Sequence, residues 1–192
     1  RTLFTKLKGS QMKKLIITAL LFVAAVSTGY AQAGTGAPVN FNATATVLAT
    51  LTVNNTTDLA FSDVIPGGDK TVELSGGAVV ATYGTGTVAD FDITGSAGKE
   101  VGAYLTATND LSDGTNTLPI TTWVAWTNPT DTYAGATSFA APTAWGAAAT
   151  VTLGAATGEG YMWLGATVTP AAAQVAGSYS SVNTFTFYYT GN

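Results

Sequence analysis

Val39-Asn40-Phe41-Asn42-Ala43-Thr44-Ala45-Thr46-Val47-Leu48-Ala49-Thr50-Leu51-Thr52-Val53 alternates almost without a break. Every odd position is apolar, and among the even positions only Leu48 is not Asn or Thr. Side chains on a strand point to opposite faces in turn, so this period-two pattern predicts one strand over 39–53 with a greasy face and a wet face. Its length exceeds that of an ordinary strand of about five or six residues. A long one-faced strand early in a chain predicts a sheet protein, and offers a strand with which one molecule could join the next.

Upstream, Met12 is followed by Lys13 and Lys14, an apolar run from Leu15 to Val26, and Tyr30-Ala31-Gln32 after Ser27-Thr28-Gly29. A basic start, a short apolar centre and small residues before Gln32 have the form of an export signal cleaved after Ala31. The apolar run falls short of the roughly 18 residues a membrane span needs. Residues 1–11 then read as a non-native upstream extension, 12–31 as the signal peptide, 32–38 as a flexible leader and 39–192 as one domain. The expected location is outside the cell or on its surface, through the periplasm if the cell is Gram-negative, with no stable membrane anchor in the mature chain.

Beyond Ala31 two lysines, Lys70 and Lys99, stand against eleven acidic residues, a net charge of −9 with no Arg and no His. Nucleic acid and anionic lipid are held by Lys and Arg that displace counterions, so such a surface excludes nucleic-acid binding. The absence of Cys removes a disulfide framework, and the absence of His and Cys removes Ser-His and Cys-His nucleophiles and most transition-metal sites.

Downstream, Gly and Pro punctuate short apolar runs. Strands are predicted at Leu59–Val64, Thr71–Leu74, Ala78–Tyr83, Val88–Thr94, Val101–Thr108, Ile120–Thr127, Ala149–Leu153, Tyr161–Thr169 and Tyr179–Thr190, with Asn54–Asp58 a turn. Pro170–Ala176 has room for one helical turn only. The Ala- and Gly-rich stretch of about 109–160 reads as an irregular insert. Many short strands without a helix predict an antiparallel β-sandwich or barrel.

Several motifs are similar to those of a family of secreted bacterial proteins known as domain of unknown function 4402. They are Ala43-Thr44-Ala45-Thr46-Val47, Asp58-Leu59-Ala60-Phe61, Ala89-Asp90-Phe91-Asp92-Ile93-Thr94-Gly95, Leu164-Gly165-Ala166-Thr167-Val168 and the closing Gly177-Ser178-Tyr179 with alternating Phe185 to Tyr189. The ending is more distantly similar to that of fimbrial, pilin-type subunits. The resemblance implies an immunoglobulin-like sandwich of the fimbrial-subunit kind with no established activity. Ser62 and Ser181 stand where that family commonly has Gly, and the Ala/Gly-rich middle is longer than its pattern.

Site readings follow from these residues. No catalytic or cofactor-binding residue is predicted, and the chain is read as no enzyme. Asp90 and Asp92 lie on one strand face about 7 Å apart, a spacing known from inverting glycosidases, but nothing nearby would tune them, and a solvated strand face is the plainer reading. Asp110 and Asp113, in Asn109-Asp110-Leu111-Ser112-Asp113-Gly114-Thr115-Asn116, offer oxygen ligands for calcium but lack the bidentate Glu of an EF-hand, so an Asx turn competes with a metal site. Trp126, Trp145 and Trp163 are candidates for stacking on a sugar, against a core role. Candidates for strand-mediated assembly are Val39, Phe41 and Ala43 on the donor side and Phe185, Phe187 and Tyr189 on the acceptor side. The expected function is a non-enzymatic structural, surface-filament subunit whose partners are copies of itself or other surface subunits. The alternative is a monomeric adhesin or carbohydrate-binding module whose partner is a glycan.

Overall fold

A computed structural model describes residues 40–141 and 149–191. The expected upstream extension (1–11), signal peptide (12–31) and leader (32–38), together with Val39, therefore lie outside the described residues. The chain divides into two units, Arg1–Ala45 and Thr46–Asn192. Of the first, residues 40–45 are described; they are exposed and form no strand. The second carries all eleven strands, and no helix occurs among the described residues.

The second unit is a two-sheet β-sandwich, as the short alternating segments predict. The larger sheet is built on β10 (Glu159–Val168). One edge of β10 pairs with β4 (Ala89–Thr94) and, further along, with β2 (Lys70–Ser75). Its other edge pairs with β7 (Thr117–Asn128). β1 (Thr52–Thr57) flanks β4, β3 (Ala78–Ala81) flanks β2, and β8 (Thr137–Ala140) and β6 (Asp110–Ser112) flank β7. The smaller sheet has the order β11 (Thr184–Tyr189), β5 (Glu100–Thr106), β9 (Ala149–Thr152). Every pair is antiparallel.

Alternation places the core. On β4 and β10, Ile93, Met162 and Leu164 are buried on one face, where they pack with Val101, Ala103, Leu105 and Val151 of the smaller sheet. Burying each such side chain contributes roughly 1.5–3 kcal/mol, which is what holds two sheets together without a disulfide. The opposite face of β10 carries Trp163, directly across from Trp126 of β7. Both belong to a second apolar layer with Leu74 and Val79 of the β2–β3 hairpin and with Tyr133. A side chain at Gly165 would put its Cβ 2.3 Å from the Val72 carbonyl oxygen and 3.0 Å from the Trp126 ring. The glycine therefore lets β2 and the indole close over the sheet together. Lys70, 1% exposed, is buried at the start of β2 and its Nζ donates to the Tyr83 carbonyl.

The opening stretch corrects its sequence reading. Residues 40–51 pair with nothing as a strand, and the first strand is Thr52–Thr57, across the Asn54–Asp58 segment expected to turn. Hydrogen-bond partners, not alternation alone, make a strand: Thr52 to Thr57 meet β4 at the sheet edge, with an irregularity between Asn55 and Thr57, and the residues before them meet no ladder. The expected Leu59–Val64 strand is reduced to a single bridge between Ala60 and Thr87, and Tyr179–Asn183 lies outside β11 apart from the Ser112–Ser180 bridge.

Candidate functional site: an open groove and an unpaired arm

β11 and β1 are edge strands, one on each sheet. Between them the sandwich is not closed. Phe91, Phe185, Phe187 and Tyr189 pack on the inner layer yet stay half-buried, whereas Ile93, Val101 and Met162 deeper in that layer are at most 1% exposed. Phe91 contacts Phe185 and Phe187 at ring centroids of 5.4 and 5.5 Å, and those two rings sit 5.1 Å apart. Beyond Phe185 the space widens into a cavity of about 970 Å³ whose walls include Leu59, Ala89, Leu105, Trp123 and Leu164. Polar residues also line it, among them Asn55, Asp58, Ser181 and Asn183. One end is closed by the 170–180 segment, where Gln174 Nε2 donates to the Thr117 carbonyl and to Tyr179 Oη, and Tyr179 Oη donates to the Val175 carbonyl.

The arm leading into the domain is fixed at its root. Ala49 N–H donates to Ser96 Oγ at 2.6 Å, and Tyr189 Oη donates to the Ala49 carbonyl at 3.0 Å while accepting from Ser96 N–H at 2.7 Å. Gly95 makes room for this, because a Cβ there would lie 2.2 Å from Tyr189 Oη. Upstream of the root, Val47 is 93% and Phe41 85% exposed. Thus Phe185, Phe187 and Tyr189 do come together on the inner side of one sheet-edge strand, and Phe41 and Ala43 lie on a segment that joins no ladder among the described residues. That β11 lies at a sheet edge could not be read from the sequence; it depends on how the strands are ordered.

The stacking candidates fare differently. Trp126 and Trp163 are buried, 5% and 0% exposed, so neither offers a face to a sugar. Trp145 lies outside the described residues. Around Trp163 a polar cluster gathers that the sequence reading missed as a unit: Tyr161 stacks on it at 6.3 Å, Tyr133 meets it edge-on at 5.3 Å, and Asp90 stands across from it on β4. Burial pushes the Asp90 carboxyl above its ordinary range; the nearby Trp163 indole N–H opposes the rise, and Asp92 and Asp131 add to it. Burial likewise raises the Tyr133 and Tyr161 hydroxyls, helped by neighbouring carboxylates. With Asp90 aligned to Trp163 and Asp92 to Tyr161, the two carboxylates face a packed aromatic surface.

At 113–116 the oxygens are already spent. Asp113 Oδ1 accepts from Thr115 N–H and Asn116 N–H, and Oδ2 from Asn116 Nδ2. The Asn116 side chain, with these amides behind it, holds the Asp113 carboxyl below its usual value. This is the Asx turn, and no group of three or more acidic side chains able to hold a metal occurs among the described residues. Comparison with family models, curated proteins and solved structures finds no match to this chain.

Proposed function

We propose that this chain is an exported, non-enzymatic structural subunit that joins copies of itself, or related surface subunits, into a filament or matrix by strand addition. The arm around Phe41 and Ala43 of one subunit adds beside β11 of another, with main-chain hydrogen bonds along the outer edge of that strand and alternate side chains turned into the groove. The observation that carries this reading is the pairing of opposites within one chain. Among the described residues, the period-two stretch 40–51 joins no ladder, and the sandwich has an edge strand lined by the half-buried Phe185, Phe187 and Tyr189. The test is a gel of exported protein run with and without boiling, together with electron microscopy of material sheared from cells. Heat-sensitive ladders are expected, and Phe41→Asp removes them while the domain keeps its unfolding midpoint. A Phe41→Asp chain that still forms ladders defeats the proposal.

A further inference from the structure

We infer that the cavity floor formed by Ala89, Leu105 and Leu164 is the seat for the Phe41 ring of a second copy; the inference rests on the strand-addition reading above. Three observations select this occupant. The first is charge. Residues 32–57 carry no charged side chain, whereas all eleven acidic residues and only two lysines follow them. Two such domains repel, and the uncharged arm is the segment that approaches a second domain without that penalty.

The second is shape. Beside the cavity the ring centroids of Phe91, Phe185 and Phe187 stand 5.1–5.5 Å apart, a crowded aromatic surface that small side chains suit best. Ala43 and Ala45 are small and fall on the same face of the arm as Phe41. Past Phe185 the floor opens because position 89 is alanine, and the cavity of about 970 Å³ there takes a bulky ring. The third is exposure. Phe41 leaves 85% of its surface in water, and moving a phenyl ring into such a space is worth roughly 1.5–3 kcal/mol of transfer free energy. The Phe41 ring thus matches the wide part of the groove, and Ala43 and Ala45 match the crowded part.

The experiment titrates a synthetic peptide of residues 38–48 into the full chain carrying Phe41→Ala. It is read by tryptophan emission, since Trp123 lines the cavity, and by hydrogen exchange of the β11 amides. Saturable binding with slowed exchange along Thr184–Tyr189 is expected. A peptide with Phe41→Ala should bind at least tenfold more weakly, and one with Val47→Ala within about twofold. Ala89→Leu in the acceptor, which fills the floor, should weaken the native peptide by a similar tenfold; the peptide series carries the test even where that variant fails to fold. If the Val47→Ala peptide is the weak one, or the Phe41→Ala peptide binds as well as the native, the seat is misassigned while strand addition stands. If no peptide binds and Phe41→Asp chains still form ladders, both readings fall. A wild-type chain that stays monomeric at every concentration, with slow β11 exchange that Phe41→Ala abolishes, would show the groove filled by its own arm and overturn the second-copy assignment.

Discussion

Asp90 and Trp163 face each other directly across β4 and β10, yet neither Asp90 Oδ1 nor Trp163 Nε1 completes a hydrogen bond. A carboxylate held there against aromatic rings is disfavoured when ionised, which is why its pKa lies above 3.8 in the folded chain. The folded state therefore binds the Asp90 proton more readily than the unfolded state does.

The consequence for stability has a definite sign. Between the unfolded value of 3.8 and the raised folded value, the folded state holds more protons, so stability falls as pH rises through that window. Ionised Asp90 costs stability at neutral pH, and the cost disappears on acidification below 3.8. Asp113 acts in the opposite, more usual direction: its depressed carboxyl contributes stability above its unfolded value that is lost as pH falls through its folded one. Asp90→Asn is expected to raise the stability at pH 7 by up to about 1 kcal/mol, a figure kept small because solvent screens a part-buried carboxylate. Denaturant melts of both chains at pH 7 and pH 4 check this: the gap between them should shrink at the lower pH.

Tyr189→Phe tests the root of the arm. It deletes the hydroxyl that bridges the Ala49 carbonyl and the Ser96 amide while keeping the ring against the core. Two lost hydrogen bonds of about 0.5–1.5 kcal/mol each predict a destabilisation of about 1–3 kcal/mol. Hydrogen exchange at the Ser96 amide should speed up more than that at Val101 in the sandwich centre.

Gly165→Ala tests the double layer. The new methyl meets the Val72 carbonyl oxygen and the Trp126 ring, so β2 has to shift away from β10 or the indole has to leave its place. Overpacking of this kind costs about 1–3 kcal/mol, and contact with backbone puts this site at the upper end. Near-ultraviolet circular dichroism, which reports fixed tryptophan environments, should weaken in step with a lowered unfolding midpoint.

Much of the sandwich is legible in the chain because half-buried strands write their burial as alternation. Ala89–Thr94, Glu100–Thr106, Ala149–Thr152 and Glu159–Val168 all fall within a residue or two of their predicted positions. The signal is misleading at 39–53, where alternation marks a capacity to pair, while the ladder goes to the polar Thr52–Thr57 that happens to lie beside β4. β6 and β8 escaped notice because both are short and flank β7 from within a Gly- and Thr-rich stretch. Burial of Trp126 and Trp163 agrees with the core role weighed against sugar stacking, but what buries them is not legible locally. Their side of the sheet is covered by a hairpin distant in sequence, around Leu74 and Val79, and no local pattern announces that cover.

Lys70 has a last consequence, one that concerns durability. Downstream of Lys14 a trypsin-like protease has two residues to cut after, Lys70 and Lys99. Lys70 is sealed in the fold, and the Lys99 amide is tied to the Ser96 carbonyl in the bend that leads directly into β5. A domain almost without basic residues, with one of its two lysines walled in, offers a trypsin-like protease scarcely a bond to attack.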